Sequence, residues 1–205
     1  MEEQQTYQSK KEIRRQKKEN ERREGQKRYF KRRFRNYAVV FLIIAALGFG
    51  IYILTRSAAP KEKDFSRAIP NMGETHIEVG GAFPEYNSNP PTSGPHYSQT
   101  ARSGFREAAI DDRYIIHNLE HGDIWIAYHP RVSDEIKEQL NQFGAAKVII
   151  TPREANDADI ALAAWGRLDA FNLENNILPV RRVDDFIKRY SSKGPERVPG
   201  ASGGI

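Results

Sequence analysis

The chain has 205 residues and no cysteine, with 32 Lys and Arg against 27 Asp and Glu, a formal net charge of +5. Lack of cysteine excludes disulfides, a thiol nucleophile and cysteine-held iron–sulfur clusters, so an exported part must hold itself together by its core or by a bound ion. Residues 1–36 carry 14 Lys and Arg against 6 Glu, net +8, and residues 37–205 carry 18 against 21, net −3. The basic character therefore belongs to the N-terminal segment, and no nucleic-acid surface is expected on the rest.

Residues 1–36 are polar and place Glu, Lys and Arg at three- and four-residue spacing without an apolar face, which predicts a basic cytoplasmic tail, unstructured or transiently helical on its own. Its aromatic residues Tyr29, Phe30 and Phe34 sit beside the next segment rather than forming an interleaved stacking pattern, and Lys27 to Arg35 suits anionic lipid headgroups. Residues 37–54 (YAVVFLIIAALGFGIYIL) are uncharged and bracketed by Arg35 and Arg56. As a helix they span about 27 Å, close to the ~30 Å of a bilayer's hydrocarbon core. One transmembrane helix is predicted, with Tyr37 and Tyr52 near the two interfaces. The basic flank keeps the N-terminus cytoplasmic and places the C-terminal part outside the cell membrane, a single-pass topology. A cleaved signal peptide needs Ser57-Ala58-Ala59 as its site; the long charged leader and Pro60 directly afterwards favour an uncleaved signal anchor.

Residues 55–67 read as a polar linker, 68–193 as one extracytoplasmic domain, and 194–205 as a flexible tail without apolar pattern. Ala68 to Gly104 contains Pro70, Pro84, Pro90, Pro91 and Pro95 together with Gly73, Gly80, Gly81 and Gly94, so its backbone is expected to be extended or turning. That is too long for an idle loop; it either wraps the core or builds a site. Asp111 and Asp112 suit the start of a short helix carrying Ile115, Ile116 and Leu119 and stopping at Gly122, although the same residues also fit an extended segment. Ile124 to Tyr128 alternates as a strand. Ser133 caps a helix with Ile136, Leu140 and Phe143 on one face and Gly144 as its stop, and Lys147 to Thr151 is a β-branched strand. That unit predicts a crossover between parallel strands. Ile160 to Leu168 reads as a third strand, and Val183, Phe186, Ile187 and Tyr190 recur at helical spacing in a last helix. The expected fold is α+β: a small mixed sheet with at least two packed helices, preceded by one transmembrane helix.

Of the five histidines, His76, His96, His117, His121 and His129, the densest group lies in HNLEHG (His117 to Gly122). If that piece is helical, His117 and His121 are one turn apart and both imidazoles reach one ion, with Glu120 close by. If it is extended, the two Cα atoms stand about 13 Å apart and shared ligation fails. The spacing formally matches H-x-x-E-H, in which the glutamate is the base of a zinc hydrolase. Gly122 and the strand that follows leave no room for the long helix such an enzyme needs, so catalysis is not expected. His96 lies in NPPTSGPHY (Asn89 to Tyr97), where three prolines and a glycine stiffen the backbone as a ligand's support requires. The candidate metal ligands are His96, His117 and His121, with Glu120 as a further candidate, and copper or zinc suits imidazole donors. The alternative is a non-catalytic envelope interaction module, in which the same histidines satisfy loop carbonyls and a partner binds elsewhere.

On NPPTSGPHY, on HNLEHG with the strand to Tyr128, and on AWGR (Ala164 to Arg167), the chain resembles an uncharacterised family, a domain of unknown function in membrane-anchored or exported bacterial and archaeal proteins. The resemblance spans Gly80 to Pro195. It implies a single exported domain behind a membrane anchor and carries over no activity. It marks Pro95, His96, His117, Glu120 and His121 as candidates for one shared site.

Overall fold

A computed structural model describes residues 2–58, 60–198 and 204, with side chains for all of these except 2–13, 16, 57 and 58. The chain divides into two units, Met1–Ala58 and Ala59–Ile205. The first is one helix, α1 (Glu2–Ala58). It contains no proline and is rich in Glu, Gln, Lys and Arg through its polar half, so nothing interrupts it where a transiently helical tail was expected. The segment Lys17–Arg56 includes a stretch long and apolar enough to cross a membrane. Its side chains Phe41, Leu42, Ile44, Leu47, Ile51 and Leu54 are exposed, as an all-round apolar helix leaves them outside lipid.

The second unit is α+β, as expected. Its strands are β1 (Arg67–Ala68), β2 (His76–Ile77), β3 (His96–Tyr97), β4 (Gly104–Phe105), β5 (Ile124–Tyr128), β6 (Val148–Pro152), β7 (Ile160–Ala164) and β8 (Arg167–Phe171). Its helices are α2 (Asp112–Glu120), α3 (Asp134–Asn141) and α4 (Val180–Tyr190). Six strands form a mixed sheet in the order β1-β8-β7-β5-β6-β4, and β2 pairs with β3 apart from it. Strands β4 and β5 run parallel to β6, whereas β7, β8 and β1 continue antiparallel on the other side of β5. The parallel pair β5 and β6 is joined through α3, the crossover predicted from the two periodicities.

The alternation in β5 sorts its residues onto two covered faces. Ile124, Ile126 and Tyr128 pack with Val148, Ile150, Ile160 and Leu162 against Ile136 and Leu140 of α3 and Val183 and Phe186 of α4. Trp125 and Ala127 pack with Ile149, Ala161 and Ala163 against Ile115 and Leu119 of α2, Ile69 and Ala101. Every residue of β5 is buried in consequence. Ser133 caps α3 by accepting from the Ile136 amide at 3.4 Å.

Ile160 to Leu168, expected as one strand, forms all of β7 and the start of β8. The chain reverses at Trp165-Gly166, with Ala164 opposite Arg167 and Gly166 at φ +65°, which glycine adopts without steric cost. This turn then meets the Pro-rich segment: the Gly166 amide donates to Thr92 O at 3.2 Å, and its carbonyl accepts from the Ile69 amide at 2.9 Å.

Lys61 to Ser66, part of the expected linker, lies along α4. The amides of Lys61 (2.8 Å) and Glu62 donate to the buried Asp185 carboxylate, and the Tyr190 hydroxyl donates to Asp64 at 2.5 Å. At the other end, Ser192 N donates to Gly122 O at 2.7 Å, Glu196 N to Glu120 O at 3.1 Å, and Lys147 Nζ to Val198 O at 2.9 Å. Residues 191–198 therefore rest on the end of α2. Most of the rest of the expected flexible tail, 199–203 and 205, lies outside the described residues.

Candidate metal centre

Two pieces of backbone build the site. The first is the Pro-rich segment, whose stiffness comes from a partner distant in sequence. Strands β2 and β3 are parallel with His76 opposite His96, so the two side chains are cross-strand neighbours. The pairing is extended by Gly94 N to Gly73 O and His96 N to Thr75 O, both 3.0 Å, and by Met72 N to Ser93 Oγ at 3.0 Å. Tyr86 braces it from outside by donating its hydroxyl to Pro95 O at 2.6 Å.

The second piece is α2. Asp111 caps it by accepting from the Arg113 amide at 3.0 Å. At its other end Gly122 N donates to Leu119 O and Asp123 N to Asn118 O, both 2.9 Å, with Gly122 at φ +81°. That bond pair is the Schellman ending, in which a left-handed residue closes the last turn. Of the two conformations open for HNLEHG, the chain takes the helical one up to Glu120, with His121 as C-cap. His117 and Glu120, three residues apart, share a face. Asn118 ties the helix to the loop instead: its side chain accepts from Ala101 N at 2.7 Å and donates to Ala101 O and Asp123 Oδ2 at 2.9 Å.

His76, His96, His117 and Glu120 each bring one ligand-type atom into a group within 4.8 Å of one another. Glu120 Oε2 lies 2.9 Å from His96 Nε2 and 3.6 Å from His76 Nε2. The rings of His76 and His117 stack at 4.8 Å between centroids, and His96 stands edge-on to both, at 4.9 and 5.1 Å. His96, His117 and Glu120 are buried, while the His76 side chain is 47% exposed and is the group's face to solvent.

Backbone carbonyls fix two of the tautomers, since a carbonyl only accepts. His96 Nδ1 donates to Gly94 O at 2.7 Å and His117 Nδ1 to Tyr97 O at 2.9 Å. A neutral ring held in this way presents Nε2 as its lone-pair donor, the arrangement in which metal-binding histidines are usually oriented. Burial holds the His117 pKa below its ordinary value, and the neighbouring His121 and His96 add to the effect, so the ring is neutral at neutral pH.

His121 stands 4.5 Å from His117, ring to ring, and its Nε2 meets Glu196 Oε2 at 3.1 Å. His117, His121 and Glu196 form a second group within 4.8 Å. Of the residues read from sequence, His96, His117 and Glu120 come together in the first group, and His121 joins His117 in the second. The sequence reading did not name His76 or Glu196 as ligands. The alternation of Thr75 to Val79 was a strand signal that could have placed His76 beside another strand; Glu196 carried none. His129 belongs to neither group; its Nδ1 accepts from Arg131 N at 3.1 Å. An open groove between α3 and β4, lined by Phe105, Glu107, Tyr128, Lys137 and Pro152, contains none of these histidines.

The second unit is thus a small α+β domain in which three histidines and a carboxylate, from the end of α2 and the short β2–β3 ladder beside it, form a cluster of a composition compatible with a cation. Residues 76–202 match the family described as "Protein of unknown function (DUF3105)", a span that begins at His76 and takes in every residue of both groups. The chain belongs to this family. No curated protein and no solved structure matches it.

Proposed function

We propose that the chain is a membrane-anchored, extracytoplasmic binding module that holds one copper or zinc ion through His76, His96, His117 and Glu120. The observation that carries this reading is the 2.9 Å approach of His96 Nε2 to Glu120 Oε2 while His96 Nδ1 is already donating to Gly94. In that tautomer two lone-pair donors face each other in a buried place, an apposition that is stable only with positive charge between them. A divalent ion supplies it, and three imidazoles with one carboxylate suit zinc or copper. Glu120 stands among the donor atoms themselves, which disfavours the hydrolase role of a base acting on bound water. The anchor and its orientation rest on the apolar segment 37–54 and the basic flank before it.

A second reading also accommodates the 2.9 Å contact: a doubly protonated His96 ring paired with Glu120, in a non-catalytic envelope module whose histidines are structural. Elemental analysis of the full-length chain in detergent, purified without a histidine-rich tag, separates the two. The metal reading expects close to one copper or zinc per chain, and its loss in His96→Ala and Glu120→Gln. A wild-type chain that is metal-free and takes up neither ion overturns it in favour of the structural pair.

A further inference from the structure

His117 belongs to both donor groups, and its tautomer limits what it can do in each. With Nδ1 donating to Tyr97 O, only Nε2 has a lone pair for a metal. The ring therefore cannot bridge two ions, and filling one group empties the other of its common ligand. The groups also differ in access. In the first, His96 and Glu120 side chains are 0% and 7% exposed; in the second, Glu196 is 56% exposed. His121 Nδ1 is buried without a hydrogen-bond partner while its Nε2 meets Glu196, so this ring has a donor atom that the protein leaves unused. The tail that brings Glu196 here is pinned on both sides of it, through Ser192 N to Gly122 O and Lys147 Nζ to Val198 O, and Glu196 N itself bonds Glu120 O.

We infer that His117, His121 and Glu196 form an outer cation site that passes a transition-metal ion to and from the inner group of His76, His96, His117 and Glu120, with His117 as the ligand common to both. The inference rests on the metal-binding reading above. The transfer is a ligand substitution: the bond to His117 Nε2 persists while those to His121 and Glu196 break and those to His96, His76 and Glu120 form. No electron moves, and any proton on an incoming imidazole leaves to water. Stepwise exchange through a shared ligand avoids releasing a bare ion into the buried group, where an ion without its donors is strongly disfavoured.

The test uses the full-length chain in detergent, zinc ions as the probe and a chromogenic zinc chelator to follow uptake and withdrawal by stopped flow. Wild type is expected to saturate at one zinc per chain. Glu196→Gln and His121→Gln are each expected to slow transfer in both directions by about tenfold, while Glu154→Gln, on the exposed surface away from both groups, leaves the rates unchanged. Because Glu196 lies on the exposed tail, its variant carries the test even if His121→Gln fails to fold. Two zinc ions on wild type, or wild-type rates in Glu196→Gln, overturn the outer site. No zinc on wild type removes the inner group as well. One zinc that Glu120→Gln abolishes, with transfer unaffected by Glu196→Gln, removes the outer site alone.

Discussion

Individual carboxylates in this chain act by what is donated to them. Glu120 faces imidazole nitrogens, whereas Asp185 faces two backbone amides, those of Lys61 and Glu62, and so fixes the segment entering the domain. Burial raises the Asp185 pKa, but the Glu62 and Lys61 amides outweigh it, aided by Lys188 and Arg189, and the net shift is downward. For a carboxylate depressed on folding, the stabilisation is complete above its unfolded pKa, near ~3.9, and is lost as pH falls through the lower folded value. Hydrogen-exchange protection of the Lys61 and Glu62 amides is therefore expected to persist at about pH 5 and to disappear only below about pH 4. Asp185→Asn is expected to lose it at neutral pH and to open Lys61 and Lys63 to trypsin. Protection that vanishes near neutral pH in the wild-type chain would mean that another group holds the segment.

At the scale of elements, the end of α2 is where local and distant requirements meet. Gly122 is at φ +81°, and a Cβ there would stand 2.8 Å from Ser192 Cα and 2.9 Å from the amide nitrogens of Lys193 and Gly194. Left-handed strain of about 1 kcal/mol, with at least as much again from overlap with a backbone that cannot rotate away, predicts that Gly122→Ala destabilises the domain by roughly 2–3 kcal/mol in urea unfolding. The same change should push the 191–198 segment off the helix end and slow zinc transfer as Glu196→Gln does. A stability loss under about 0.5 kcal/mol would show that the tail yields freely. A helix stop at Gly122 was one of two readings open in the sequence, because a Schellman ending leaves a local mark, a glycine after a periodic apolar run, while the same residues also fit an extended segment. Strand β5, helix α3 and strand β6 were legible, since periods of 2 and 3.6 are written in contiguous residues. Strands β1 to β4 were not, because two residues become a strand only by virtue of a partner: His76 is placed by His96, twenty positions away. The β7–β8 reversal was not read either. Gly166 was visible, but Trp165 beside it kept the apolar run looking continuous. Helix geometry, one of two conformations open for HNLEHG, offered His117 with His121 on one ion and Glu120 close by, whereas the fold sets His117 and Glu120 with His96 and leaves His121 in the other group. His76 and the tail residue Glu196 depend on pairings between segments far apart in the chain, which periodicity does not record.

For the whole molecule, charge, composition and donor chemistry bear on one proposal, that α1 spans a membrane and the histidines lie on its outer side. The segment before the apolar stretch carries a net charge of +8 and the chain from Tyr37 onward −3, an asymmetry that resists translocation of the first and permits that of the second. A donor set of imidazoles and carboxylates suits the outer side, because it has no thiolate to be oxidised there and keeps its ligands in an environment that converts paired cysteines to disulfides. The absence of cysteine also makes the orientation directly measurable, since an introduced thiol has no background. Gln26→Cys lies on the exposed polar part of α1 and Glu154→Cys on the exposed surface of the domain, and neither touches a donor residue. With a membrane-impermeant maleimide added to intact cells, Glu154→Cys is expected to be labelled and Gln26→Cys to be labelled only after the membrane is opened. Labelling of Gln26→Cys alone in intact cells reverses the topology, places the histidines in the cytoplasm and makes the cytoplasmic metal pool their source. Labelling of both indicates that α1 does not span the bilayer, leaving the basic segment to act as a surface contact and the domain to be held by that contact alone.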